Sequence, residues 1–358
     1  MRNLFIVFYC LVSALTIKAN GQDSLWKIQT TDYHGTYYGA TVANGGIGIL
    51  PWKEPFSIRH VMLNHVFDSA TPQDVSRVLR GINPFNLQMQ INGQTVNGDN
   101  ISRWEQCIDM KEATHNTHFT CDGKADVSYS ICALRNLPYA GLVRVEVVAL
   151  GDMYLTVSNP IEIPDEYKNI GSKLVNVNVN GNDIKIVRTW ALSKYREQKV
   201  SASSAFIYDK NSSVQQQYNG SGQISISLKK GEKFFFTLLG AVCTGRDFID
   251  PYNESDREVI YGAKEGLTRL MDGHRKLWNE MWKGDIVIEG DDEAQRTVRF
   301  ALYNLYSNAR KGSRLSIPPF GLSSQGYNGH IFWDTEFWMY PPMLFMNQGI
   351  ERTMMDYR

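Results

Sequence analysis

From Trp26 to about Asp250, apolar and polar positions alternate in short runs broken by turn residues, which predicts an antiparallel sheet protein. Two runs, Leu87–Ile91 and Leu174–Val179, each end in Asn-Gly, the dipeptide that supplies positive φ at a hairpin turn. Further strands are predicted over Val143–Leu150, Ile184–Trp190, Gln223–Leu228 and Phe234–Cys243, and so many strands imply a large two-sheet sandwich. The glycine-rich Tyr38–Pro51 has neither the lysine nor the following helical period of a phosphate loop. It reads as a tight turn between strands.

At Ser255 the period changes from two to 3.6. Ser255 and Glu258 have the spacing of a capping box, and Val259, Ala263, Leu267, Leu270, His274, Leu277 and Met281 recur on one face, predicting one helix that stops at Gly284. At 1.5 Å per residue it would reach roughly 43 Å, long enough to link two domains. His274 on that face reads as a core histidine. Asp285–Gly290 is predicted as a short strand. Asp291 or Asp292 then caps a helix to about Arg310 with Ala294, Val298, Ala301, Leu302 and Leu305 inward, and a last helical segment begins at Ile350.

The face of Phe300, Leu302, Leu305 and Tyr306 has no predicted partners. A helical core needs several helices around it, so the sequence reads as a piece of a longer chain.

The ends and the charge add limits. Arg2, the apolar run Leu4–Ile17 and the small residues Ala19-Asn20-Gly21 form a signal-peptide pattern, predicting export to the periplasm or beyond with Gln22 as the mature start. That run is too short for a membrane span of about 20 residues. Lys plus Arg and Asp plus Glu both number 37, so no basic surplus points to nucleic acid. Cys107, Cys121, Cys132 and Cys243 would remain after export; disulfides are permitted in that compartment, with the pairing open, and the lack of a Cys-x-x-Cys pair argues against zinc. No other metal or cofactor is implied, and a homodimer stays open.

The densest chemistry lies in Gly326–Pro342, GYNGHIFWDTEFWMYPP. Indole and phenyl faces suit the C–H patches of a sugar ring, and carboxylates hold its hydroxyls. Aromatics this dense also make plain core, and spacing alone assigns no role to Asp334 or Glu336, which would share a face on a strand and diverge on a helix.

These residues carry a family resemblance. The runs GHRKLWNEMWKGDIVIEGDDEAQRTVRFALYNLYS and IPPFGLSSQGYNGHIFWDTEFWMYPPMLF, with the earlier YGATVANGGIGILP, resemble glycoside hydrolase family 65, which includes disaccharide phosphorylases, acid trehalases and related α-glucosidases. The resemblance implies a galactose-mutarotase-like β super-sandwich over residues 22–250 after the signal 1–21, a helical linker over 251–284, and the beginning of a six-hairpin (α/α) barrel over 285–358. A whole barrel of twelve helices needs about 190 residues, so most of it would be missing.

The resemblance places Trp333 and Asp334 in the subsite that holds the non-reducing glucose. Glu336 is expected as a supporting or helix-start carboxylate rather than a direct sugar ligand, and His330 and Tyr327 as loop-shaping or ligand-rim residues. No catalytic residue is expected here, because the general acid and the base or phosphate site would lie past Arg358. The implied activity is inverting hydrolysis of an α-glucoside, since a phosphorylase conserves bond energy as a sugar phosphate that is useful only inside the cell. A phosphorylase, or a silent carbohydrate-binding piece, remain the alternatives.

Overall fold

The computed structural model describes residues 21–69, 71, 75–179, 181–209 and 213–358. Residues 1–20 of the signal-peptide pattern and Asn180 of the second hairpin turn lie outside them. After a helical turn, α1 (Gly21–Ser24), come β1 (Lys27–Thr30), β2 (Val42–Ala43), β3 (Ile47–Pro51), β4 (Ile58–Ser69), β5 (Ser76–Gly81), β6 (Gln88–Ile91) and β7 (Gln94–Thr95). The run continues with β8 (Ile101–Asp109), β9 (Thr114–Cys121), β10 (Ala125–Ala133), β11 (Ala140–Ala149), β12 (Met153–Asn159) and β13 (Tyr167–Val179). It closes with β14 (Asn182–Ser193), β15 (Lys199–Tyr208), β16 (Gln215–Tyr218), β17 (Gly222–Leu228) and β18 (Lys233–Thr244).

These strands form three antiparallel sheets. The largest runs β1-β8-β9-β10-β11-β18-β15-β14-β13; the others run β16-β17-β12-β6-β7 and β2-β3-β4-β5. Alternation decides what they share: Val127, Val143, Val145 and Leu238 of the large sheet meet Met89 and Val157 of the second and Ile49 and Val61 of the third in one buried core. The β6–β7 turn has the predicted Asn-Gly geometry, with Asn92 at φ 52° and Gly93 at φ 80°. The glycine-rich stretch is the turn between β2 and β3, where Gly45 has φ 81° and a Cβ would strike Ala309 and Arg310.

The linker departs from the predicted single helix. It is two helices, α2 (Pro251–Glu265) and α3 (Leu267–Met281), broken at Gly266, whose φ of 80° leaves the helical region. Its start is Asp250, whose carboxylate accepts from the Asn253 N–H with Pro251 in the first turn. Ser255 is therefore no cap. Its hydroxyl is buried against those of Ser201 (2.8 Å) and Ser203 (2.9 Å), fastening α2 to β15. His274 is buried as expected, accepting from the Arg135 N–H and facing the Glu112 carbonyl.

Asp285–Gly290 is not a strand. Among the described residues it pairs with no strand, and the Gln295 side chain holds its backbone, donating to the Ile286 carbonyl at 2.9 Å and accepting from the Ile288 N–H. Asp291 caps α4 (Asp292–Asn308) through the Glu293 and Ala294 N–H groups. The buried stripe of α4 is rotated from the predicted one. It comprises Gln295, Arg299, Leu302, Tyr303 and Tyr306, whereas Ala301 faces solvent.

Nor does that stripe lack partners. Tyr303 stacks on Trp278 (5.4 Å) and donates to the Thr41 carbonyl, Tyr306 packs edge-on to Trp282, and Arg299 lies 3.7 Å over Trp26 while paired to Asp285 at 2.7 Å. The chain continues through a five-residue π-turn (Thr335–Met339) into α5 (Tyr340–Met346) and α6 (Gln348–Tyr357).

Candidate active-site loop

The segment singled out for sugar chemistry is presented by the sandwich, not by the helices alone. Between α4 and the π-turn, the chain passes a short 3-10 turn in which Tyr327 (φ 49°) and Asn328 (φ 56°) are left-handed. Strand β5 grips this turn at successive positions. Gln325 donates to the Val78 carbonyl (2.6 Å) and to Glu166 (2.6 Å), Arg77 Nε donates to the Asn328 side chain (3.1 Å), and His330 Nε2 lies 2.7 Å from the Ser76 carbonyl. Gly329 (φ 72°) lies so close to Val78 that a Cβ would come within 2.5 Å of it. Arg80, on the same strand, completes the link by pairing with Glu166 at 3.1 Å.

Past this clamp the chain turns outward. Thr335 is buried and donates to the Ile317 carbonyl at 2.8 Å, so the first turn of the π-helix is pinned on one side. On the other, Trp333 is 59% exposed with Phe337 edge-on at 5.4 Å, and Trp338 is also exposed. Asp334 is half-buried beside Trp333, and among the described residues its carboxylate makes no hydrogen bond or ion pair, not even a cap to the turn it precedes. An open indole face beside an uncommitted acceptor can hold a ring with hydroxyls.

The other predicted residues take distinct positions. Glu336 accepts from Nε and Nη2 of Arg358, at 2.8 and 3.0 Å, which ties the π-turn to the end of α6. His330 is occupied in the clamp. Tyr327 is exposed and packs against Phe320 and Phe332, on the rim rather than against Trp333. Pro341 and Pro342 sit in the first turn of α5.

Among the described residues, no group of three or more His, Cys, Asp or Glu is placed to hold a metal ion, the four cysteines are free thiols, and no helix is long and apolar enough to cross a membrane.

Comparison with known proteins assigns these two regions. Residues 39–281 match the profile described as "Glycosyl hydrolase family 65, N-terminal domain" and residues 299–358 that described as "Glycosyl hydrolase family 65 central catalytic domain". The chain belongs to glycoside hydrolase family 65.

Among family 65 relatives, a kojibiose hydrolase of Flavobacterium johnsoniae is 35% identical over 98% of this chain and 53% of its own length. A kojibiose hydrolase of Mucilaginibacter mallensis is 32% identical over 99% and 54%. The chain thus spans about half the length of these curated relatives. A solved structure titled a putative kojibiose phosphorylase from human microbiome superposes with a TM-score of 0.76 at 13% identity, covering 94% of this chain and 49% of that one. At that identity the likeness speaks for the fold.

The family assignment puts Trp333, Asp334 and Glu336 in the catalytic-domain stretch and β5 in the N-terminal one. Sequence reasoning missed the clamp residues Ser76, Arg77, Gln325 and Asn328, and missed Arg358 as the partner of Glu336. Nothing local announces them. The β5 and loop partners lie some 250 positions apart, as in Arg77 with Asn328.

Proposed function

We propose that this chain is the sandwich, linker and barrel-opening portion of an exported, inverting α-glucoside hydrolase, in which Trp333 and Asp334 line the subsite for the non-reducing glucose. The observation that carries the reading is the pairing of an exposed indole with a carboxylate that no described protein group engages, on a segment held at each end, by β5 at residues 325–330 and by Ile317 at Thr335. A half-buried carboxylate left without partners is costly unless water or a ligand fills its acceptor sites. Glu336, His330 and Tyr327 take supporting places: Glu336 holds the turn to α6, His330 holds the loop to β5, and Tyr327 borders the rim.

Kojibiose is the first substrate to try, because the two relatives that align over nearly the whole chain are named kojibiose hydrolases. The phosphorylase relatives align over far less, 36% of the chain for a nigerose phosphorylase of Lachnoclostridium phytofermentans. Inverting hydrolysis needs an acid and a base about 6.5 to 9.5 Å apart across the scissile bond, and Asp334 with Glu336, already paired to Arg358, is not that pair. In this reading the acid and base lie past Arg358, as the family resemblance implies.

The test is to incubate the protein, at the length of its relatives, with kojibiose in phosphate-free buffer. Free glucose without sugar phosphate is the expected product. A strict phosphate requirement would replace the hydrolase by a phosphorylase, and no action on any α-linked disaccharide would remove the reading. Residues 22–358 alone are expected to show no turnover.

A further inference from the structure

The outward face of the nine-stranded sheet is of two kinds. One cross-strand row, Cys132 on β10, Leu142 on β11, Leu239 on β18 and Ala205 on β15, is apolar and roofed by Val259, Leu270 and Met271 of α2 and α3. The roof ends at Leu267. Beyond it the next two rows lie open as a trough of about 560 Å³, a volume within the roughly 300–1,000 Å³ of small-molecule sites. In register, one row is Asn116, Ser130, Arg144 and Thr237; the other is His118, Ser128, Glu146 and Phe235. All residues lining the trough fall between Glu105 and Leu267, so it shares nothing with the Trp333 loop.

The chemistry of these rows is selective. Asn, Ser and Thr offer donors and acceptors side by side, the arrangement a hydroxyl needs because it is both at once. Phe235 is 55% exposed on a strand, an apolar plate at one end of its row. The charges have both signs: Glu146 is engaged by Lys233 at 3.0 Å, His118 by Ser128 at 3.0 Å and Asp126 at 3.4 Å, while the Arg144 side chain makes no hydrogen bond or ion pair among the described residues. Mixed signs give a polyanion no field to follow.

A protein partner would want an apolar centre, and here the polar side chains Asn116, Ser128, Ser130 and Arg144 hold the middle while Phe235, Ile207, Tyr208 and Leu267 lie along the edge. The inward neighbours Val127, Tyr129, Val145 and Val147 are buried, so the rows are held on rigid strands. At about 4.8 Å per strand, the five strands from β8 to β18 span roughly 19 Å, the reach of a short chain of sugar rings.

We propose that this trough is a second carbohydrate site, taking a neutral oligosaccharide of two or three rings with one ring on Phe235 and hydroxyls on Asn116, Ser128 and Arg144. It would hold glycan to the sandwich independently of the Trp333 subsite, whatever reaction that subsite serves.

Calorimetric titration with maltotriose, cellotriose and chitotriose tests it, using a Trp333→Ala background to silence the other subsite. At least one trisaccharide is expected to bind that variant with a millimolar or tighter Kd, and adding Phe235→Ala, or separately Arg144→Ala, should weaken it about tenfold. Both substitutions are on exposed side chains, and a thermal melt confirms folding. A Trp333→Ala protein that binds none of the three sugars, or binds one with indifference to both further substitutions, overturns the proposal. Because the readout is binding, failure here is separate from failure to release glucose.

Discussion

Replacing Asp334 by Asn in the protein at the length of its relatives keeps shape and volume and removes one charge. The structure says where the cost must fall. The Asp334 carboxylate has no hydrogen bond or ion pair among the described residues, so the folded protein loses nothing internal. The thermal midpoint should move by no more than about 2 °C, the scale of a surface substitution worth within about 0.5 kcal/mol.

A bound glucose, by contrast, loses a hydrogen bond to a charged group, worth roughly 1.5–3 kcal/mol. That converts to about a ten- to a hundredfold drop in kcat/KM on kojibiose. Steady-state kinetics and a melt on the same preparation decide it. An unchanged kcat/KM takes Asp334 out of the subsite, and a loss accompanied by a matching fall in stability would mean that the carboxylate supports the fold instead.

Other expectations follow from named contacts. Gln325→Ala removes the donations to Val78 and Glu166; because Arg80 still holds Glu166, stability should fall by only about 1–2 kcal/mol, whereas kcat/KM should drop up to about a hundredfold if Trp333 is displaced by an ångström, which kinetics beside a denaturant curve separates. Trp278→Ala, at the fully buried stack with Tyr303 that joins linker to α4, should cost about 3–5 kcal/mol in urea unfolding. Glu258 on α2 has its carboxyl pushed up to about 7, first by burial and then by Glu254, against the pull of Arg310, and its Oε2 is buried without a partner. A carboxyl raised by folding favours the folded state while protonated and loses that contribution as pH climbs from its ordinary value through about 7; Glu258→Gln should therefore flatten the decline of stability between about pH 4.5 and 7, by up to roughly 3 kcal/mol, and parallel declines in the two proteins' melts over that window would refute it.

What the amino-acid pattern reveals and conceals has physical reasons. Strand alternation is a local signal, so β6, β11, β17 and β18 stand where the runs predict them, and Asn92-Gly93 turns as its φ preference requires. The linker misleads because apolar spacing continues across Gly266 from Val259 to Leu270, although the glycine's φ breaks the helix. Ser255 and Glu258 match a cap by spacing alone, while the true start, Asp250 followed by Pro251, carries the signals of an N-terminus one turn earlier. On α4 the stripe is rotated because Gln295 and Arg299 are buried by partners outside the helix, which periodicity counts as solvent-facing. Trp333 and Asp334 stand out by residue type, but the strand that presents them does not, since the Ser76 and His330 contact depends on a fold bringing distant segments together.

The most direct measurement is a crystal structure of the protein, at the length of its relatives, with glucose bound. The account predicts a hexose ring against the Trp333 indole with a hydroxyl within hydrogen-bonding distance of Asp334, and the 325–330 turn still gripped by β5. Glucose bound elsewhere in the catalytic domain, with Trp333 packed away from it, would contradict the account.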